Sequence, residues 1–189
     1  MAYKIIIDPG HGGSDPGATY NGRQEKDDAL RMAMAVGDLL KNAGFDVVYT
    51  RTTDIYNTPF EKATIGNEAG GDLFVSFHRN SSPTPNTYGG VQALVYNDSG
   101  FKGTLARNIN ENLVALGFED KGVVERPNLV VLKRTKMPAV LLELGFINSD
   151  KDNQLFDEKF NEIAQAIADG IIDTLNSNGI TASQMSRYT

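Results

Sequence analysis

The chain has 189 residues, of which 40% are hydrophobic and 22% are charged, as in an ordinary globular domain that buries a core without cross-links. It contains no cysteine, which excludes disulfides, thiolate zinc sites and thiol nucleophiles. The formal net charge is −6 and no Lys/Arg-rich run occurs, so we expect no nucleic-acid partner. No run approaches the roughly 18 apolar residues of a spanning helix, so we expect no membrane insertion.

Apolar periodicity and turn residues predict alternating strands and helices. The predicted elements are, in chain order, a strand at 4–8, a glycine-rich loop to Gly22, a helix from about Gln24 to Gly44, a strand at 45–50, a helix at 59–69, strands at 72–77 and 90–96, a helix around 105–116, strands at 129–132 and 139–144, and a helix at 153–175. Such alternation is typical of an α/β domain with a mostly parallel sheet that is covered on both faces.

Both histidines of the chain end an apolar run, His11 after the first predicted strand and His78 after the third. Glu143 lies in the last predicted strand, and Glu25 opens the first long helix. Because the carboxyl ends of parallel strands meet at one edge of a sheet, we expect these side chains to converge. Two imidazoles and a carboxylate meet the needs of a catalytic zinc site. A further carboxylate, for which Glu143 is attractive as a lone charge in an apolar run, can carry the proton.

Each of these residues also has a structural interpretation. His11 could bond loop backbone, and His78 could be a solvated strand end. Glu25 suits a first helical turn, where the helix dipole favours an acid, and Glu143 could form an ion pair. The motifs of dinucleotide, P-loop, helical zinc-protease and serine-hydrolase sites are absent. The residues by themselves therefore predict only metal-assisted hydrolysis.

Five segments carry a more specific signal, and they occur in a fixed order: 7–13, 25–26, 49–54, 76–80 and 138–146. Together they resemble the zinc-dependent N-acetylmuramoyl-L-alanine amidases of the type 3 family. The resemblance extends from residue 4 to about residue 175, which is nearly the whole chain.

The resemblance implies one zinc ion (Zn²⁺) per chain, bound by His11, Glu25 and His78, with Glu143 as the catalytic carboxylate. It implies a single α/β domain with a mixed, mostly parallel sheet of about six strands covered by helices on both faces. It also implies the reaction, which is hydrolysis of the amide between N-acetylmuramic acid and L-alanine in peptidoglycan. A metal-activated water would attack, with Glu143 as general base and then general acid.

Three further residues are candidates for substrate contacts. Arg51 could bind a substrate carboxylate, although we favour an ion pair with Asp54 or with a nearby acid of a loop. Asn80 could bond the substrate, orient the metal ligands or shape a turn. Tyr88 and the loop at 81–89 are expected to wall the cleft, since functional variety concentrates in loops on a rigid scaffold.

Two departures from the family pattern lie beside the predicted site. Arg79 stands where family members often carry a small or apolar residue, and we include it among the candidate substrate contacts. Asn148-Ser149 reverses the order of a Ser-Asn pair that is frequent in the family. Both departures concern substrate recognition and leave the metal chemistry intact.

Two other functions fit the residues: a metal-dependent peptidase that cuts within the stem peptide, and a non-catalytic wall-binding module, which would not need Glu143. Residues 1–176 form the predicted catalytic domain. Residues 177–189 form a polar tail or linker, which could lead to a wall-binding module absent from this chain. No signal peptide is evident, so we expect synthesis in the cytoplasm and action on the wall after a membrane lesion or cell lysis, as for an endolysin or autolysin.

Overall fold

The structure is a computed structural model and describes residues 2–182. Strands and helices alternate along the described chain. In chain order they are β1 (Lys4–Pro9), β2 (Thr19–Tyr20), β3 (Arg23–Gln24), α1 (Glu25–Asn42), β4 (Asp46–Tyr49), α2 (Pro59–Glu68), β5 (Leu73–Asn80), β6 (Val91–Val95), α3 (Gly100–Val114), β7 (Asp120–Glu125), α4 (Val130–Lys133), β8 (Ala139–Phe146), α5 (Asp150–Glu158) and α6 (Phe160–Ser177).

Six strands form one sheet in the order β4-β1-β5-β8-β6-β7, and β2 and β3 form a separate small hairpin. The pairs β4–β1, β1–β5 and β5–β8 are parallel, and β6 runs antiparallel to β8 but parallel to β7. The predicted fold class, a mixed and mostly parallel sheet of six strands, is confirmed. The carboxyl ends of β1, β5 and β8 therefore lie side by side at one edge.

Hydrophobic layers cover both faces of the sheet. The larger core packs α1, α3 and α6 on one face, against residues such as Ile7 and Phe77. The smaller core lies on the other face, where α2 and α4 cover Ile6, Phe74 and Leu141. Full burial of each such apolar side chain contributes roughly 1.5–3 kcal/mol. Polar residues buried on the second face require hydrogen-bond partners, because burial of an unpaired polar group is costly.

Three element predictions are corrected. Residues 129–132 are not a strand: Leu129 caps the short helix α4 and the next three residues belong to it, and Lys133 N donates to Leu129 O at 2.8 Å. The sixth strand is instead β7, a half-buried edge strand whose Asp, Lys and Glu mask the alternating pattern. The predicted final helix is two helices, because Lys159 leaves helical geometry between α5 and α6.

The end of the chain is only partly described. Within the predicted tail at 177–189, Ile180 and Ala182 pack against the larger core, whereas residues 183–189 lie outside the described part. Across residues 2–182, the helices are each too short or too polar to traverse a lipid bilayer.

Candidate metal centre

A tight turn after β1 brings His11 to the sheet edge. Gly10 N donates to Phe77 O at 2.9 Å, and His11 adopts a positive φ of 60°, which is uncommon for a residue with a side chain. A Cβ on Gly10 would lie 2.5 Å from His78 Cε1. Only glycine therefore lets this turn approach the second histidine so closely.

Three side chains converge on one point, as the sequence predicts. His11 Nε2 lies 3.0 Å from Glu25 Oε1, and His78 Nδ1 lies 3.1 Å from the same oxygen. The donor atoms of all three residues lie within 4.8 Å of one another. His11 lies in the turn after β1 and His78 lies in β5, whereas Glu25 is the first residue of α1.

Surrounding groups hold this cluster in place. His11 Nδ1 donates to Asp15 Oδ2 at 2.8 Å, which leaves Nε2 turned toward Glu25. Glu25 accepts from Ala18 N at 2.9 Å and from Arg79 N at 3.1 Å. Orienting contacts of this kind fix the ring and carboxylate positions of metal ligands.

The charges within the cluster shift its proton affinities. Burial acts to lower the pKa of His11, but hydrogen bonds and charges from Glu25 and Asp15 outweigh burial and raise it. Burial acts to raise the pKa of Glu25, but the bonds to His11 and His78 outweigh it and hold that pKa far below its usual range. The carboxylate is therefore ionised and available as a ligand.

Two imidazole nitrogens and a carboxylate oxygen are ligands that zinc accepts at about 2.0–2.2 Å. The spacing of the donor atoms allows one ion to contact all three residues. An α/β sheet with a His-Glu-His donor group at one edge has the features expected of the class of metal-dependent hydrolases.

Glu143 lies beside this cluster. It pairs in register with His78 on the neighbouring parallel strand, so both side chains leave the sheet on the same face, about 4.8 Å apart at the backbone. Its Oε2 is buried without a hydrogen-bond partner among the described residues. Burial raises the pKa of Glu143, against the opposing charge of His78. An unpaired buried carboxylate oxygen is costly to stability and calls for an explanation in function.

Arg51 differs from both sequence interpretations. It is only 3% exposed, and it donates to the carbonyl oxygens of Pro9 at 3.2 Å and Gly10 at 2.8 Å. Asp54 instead accepts from Lys26 Nζ at 2.8 Å. The expected Arg51–Asp54 ion pair is therefore not formed, and the Arg51 guanidinium instead bonds backbone carbonyl oxygens of the chain.

Arg79 also differs from the expectation of a substrate contact. Its side chain is buried and donates to Asp28 Oδ2 at 2.7 Å and to Asn153 Oδ1 at 2.8 Å. The guanidinium lies 4.3 Å from the centre of the Phe156 ring. Arg79 thus joins α1 to α5, and only its backbone N–H reaches the cluster, through Glu25.

The remaining candidates lie at the loops. Asn80 Oδ1 accepts from Ser81 N at 2.9 Å, which is the turn role. Tyr88 is exposed, with its ring 6.3 Å from that of Phe146. Asn148 bonds the backbone of Ser82 in both directions, at 3.1 and 2.7 Å, so this departure from the family pattern ties two loops together.

A cavity of about 250 Å³ opens beside the two histidines. Its lining includes residues from β1, β5, α2, α4 and β8: Asp8, His11, Asp15, Asn57, Pro59, Lys62, His78, Asn128, Leu129, Val130, Val131 and Leu141. Asp15 and Lys62 are not among the site residues predicted from the sequence. Asp15 stands four residues after His11, a spacing that could have drawn attention to it, whereas nothing in the sequence marks Lys62.

Comparisons with known proteins agree with this class. A family model described as N-acetylmuramoyl-L-alanine amidase matches residues 5–173. A sporulation-specific N-acetylmuramoyl-L-alanine amidase of Bacillus subtilis (strain 168) is 37% identical over 186 residues, which cover 95% of this chain and 71% of that protein. The endolysin of Bacillus phage SPP1 is 33% identical, over 93% of this chain and 67% of the phage protein. The chain therefore belongs to the N-acetylmuramoyl-L-alanine amidase family, as the motifs predict.

Solved structures show the same fold. The N-acetylmuramoyl-L-alanine amidase from Clostridium difficile 630 superposes with a TM-score of 0.87 at 34% identity, over 94% of this chain and 99% of that one. The chain spans only 56% of the length of another relative, the probable cell wall amidase LytH of Staphylococcus aureus. The activity and partners of that longer protein as a whole are therefore properties of that protein.

Proposed function

We propose that this chain is a zinc-dependent enzyme that hydrolyses the amide between N-acetylmuramic acid and L-alanine in peptidoglycan. The observation that carries the proposal is the cluster of His11, Glu25 and His78 with the unpaired Glu143 carboxylate on the adjacent strand. Family membership supplies the substrate, and the cell wall is the place of action that follows from it.

His11, Glu25 and His78 would hold the zinc ion. When bound, zinc would supply Lewis-acid polarisation of the substrate carbonyl and acidify a water molecule. The arrangement favours a ligand role for Glu25 and His11, because the Glu25 carboxylate stays ionised and Asp15 fixes the His11 tautomer.

Glu143 would move the proton. Its buried Oε2 makes no hydrogen bond to the described residues, so it would be free to accept a proton from the attacking water and to return it to the departing alanine nitrogen. A general base works best when its pKa lies near the working pH, and burial moves the pKa of Glu143 in that direction. The chain then needs no covalent intermediate.

The cavity beside the histidines would receive the substrate. Leu129, Val130 and Leu141 line one part of it, and Asn57 adds an amide. Apolar walls with a few polar groups are usual for small-ligand sites. They would keep bulk water from the reacting carbonyl.

The test is metal content and activity measured on the same samples. We expect about one zinc per purified chain, loss of wall lysis on chelation, and recovery on addition of zinc. Alanine at His11 or at His78 should lose zinc and activity together. Unchanged zinc in either variant would show that the ligand set is wrong.

A further inference from the structure

The turn that carries His11 is strained and has unusual partners. The positive φ of 60° at His11 costs roughly 1–3 kcal/mol, and such a conformation persists only where the surrounding structure holds it. Two buried cations contact the carbonyl oxygens of this turn, Arg51 from the loop after β4 and Lys62 from the first turn of α2.

The two cations bond the carbonyl oxygens of the turn, and both of them bond Pro9 O. Arg51 donates to Pro9 O at 3.2 Å and Gly10 O at 2.8 Å. Lys62 Nζ donates to Pro9 O at 2.6 Å and His11 O at 3.3 Å. Three successive carbonyl oxygens, those of Pro9, Gly10 and His11, are thus bonded by cations.

Asp8, in β1, forms an ion pair with Lys62. Its Oδ1 lies 3.2 Å from Lys62 Nζ, and its oxygens accept from Thr50 Oγ1 and Ser76 Oγ, each at 2.6 Å. Asp8 is 1% exposed and Lys62 is 4% exposed. The pair links α2 to β1 and to the strands on either side of it.

Stability alone does not account for this buried pair. Removing two charges from water is expensive, and apolar replacements of a whole buried pair are often neutral or stabilising. Each N–H of the Lys62 ammonium has a nearby acceptor: Asp8 Oδ1, Pro9 O or His11 O. The ammonium is therefore committed to the turn and has no proton left for a substrate.

We propose that Lys62 is a positioning residue of the metal centre, which holds the Pro9–His11 turn so that the His11 ring meets Glu25 and His78 before metal arrives. This inference rests on the proposed function, because it concerns the zinc that those residues would bind. Groups that orient metal ligands typically change metal affinity about 10- to 100-fold when they are lost.

The experiment compares zinc affinity in Lys62→Met and Lys4→Met. Lys4 is a matched control, because its Nζ also donates to a backbone carbonyl, Ala69 O at 2.8 Å, and faces an aspartate, Asp46 at 3.7 Å. It does so at the opposite end of β1. Zinc dissociation constants come from competition with a chromogenic chelator, well below the unfolding temperature of each variant.

We expect Lys62→Met to bind zinc about 10- to 100-fold more weakly than the wild type, and Lys4→Met to bind as the wild type does. A folded Lys62→Met protein with wild-type zinc affinity overturns the inference. Failure of the wild type itself to bind zinc would instead refute the proposed function.

A double variant, Asp8→Asn with Lys62→Met, covers the case in which the single variant leaves Asp8 buried alone and unfolds. We expect the double variant to fold and to bind zinc weakly. Wild-type zinc affinity in it overturns the inference. So does a double variant that stays unfolded in saturating zinc, because the pair would then support the fold and not the site.

Discussion

Glu143→Gln separates the proton carrier from the metal ligands. The substitution keeps the shape of the side chain and removes its charge. Glu143 lies outside the donor group formed by His11, Glu25 and His78, so zinc content should stay at the wild-type level. The proton can no longer be taken up at this position, so turnover should collapse.

The magnitude follows from the role and the surroundings of the carboxylate. General acid–base catalysis contributes about 10²–10⁴-fold, or about 2.7–5.4 kcal/mol of barrier. Stability should change in the opposite direction, because burial raises the pKa of Glu143 and so disfavours its charged form in the folded protein. We expect an unchanged or higher Tm at neutral pH, with about 2–4 °C for each kcal/mol gained.

The assay measures released peptide per zinc-loaded chain, with the Tm taken from the same sample. Glu68→Gln is the control, since Glu68 is an exposed carboxylate on α2. It should leave both kcat and Tm unchanged. A Glu143→Gln protein with wild-type turnover would refute the reasoning, and one that loses zinc would place Glu143 among the ligands.

Three further predictions follow from the same contacts. Glu25→Ala should lose zinc as completely as the histidine variants, measured by metal analysis, whereas retained zinc would place the third ligand elsewhere. In metal-free protein, the pair of His11 and Glu25 should stabilise most between their unfolded pKa values of 6.5 and 4.5. The His11 contribution is lost as pH rises through its raised folded pKa, and the Glu25 contribution is lost as pH falls; a flat Tm profile from pH 5 to 9, matching that of His11→Ala, would contradict this. Arg79→Met should lose about 1.5–3 kcal/mol of unfolding free energy in urea, because it removes a charged hydrogen bond to Asp28, which keeps Arg23 and Arg31 as partners, and a variant altered only in KM would restore a substrate role.

The convergence of His11, Glu25 and His78 could be predicted from the sequence better than the contacts around them. His11, His78 and Glu143 each end or interrupt an apolar strand, and the parallel sheet brings such positions together whatever the loops do. The prediction of Glu25 as a ligand was weaker from the residues alone, because an acid in a first helical turn is common. The family resemblance supplied its role as a ligand, and the geometry now places its oxygen 3.0 and 3.1 Å from the two rings.

The partners of the long cations could not be predicted in the same way. Arg51 bonds Pro9 and Gly10 across 41 or 42 residues of sequence, and Arg79 bonds Asn153 across 74. Such contacts depend on how distant elements pack, and local patterns of residues in the sequence do not predict that packing. Strand β7 was missed for a different reason. Its polar residues suit the edge of a sheet, and in the sequence they resemble a loop.

Analysis of the products released from purified peptidoglycan tests the central claim most directly. The zinc-loaded protein should release stem peptides that begin with a free L-alanine amino group, and the glycan strands should stay intact with their lactyl groups. Mass spectrometry with amino-terminal analysis distinguishes these products. Released peptides that begin at another residue, or cleaved glycan strands, would contradict the account.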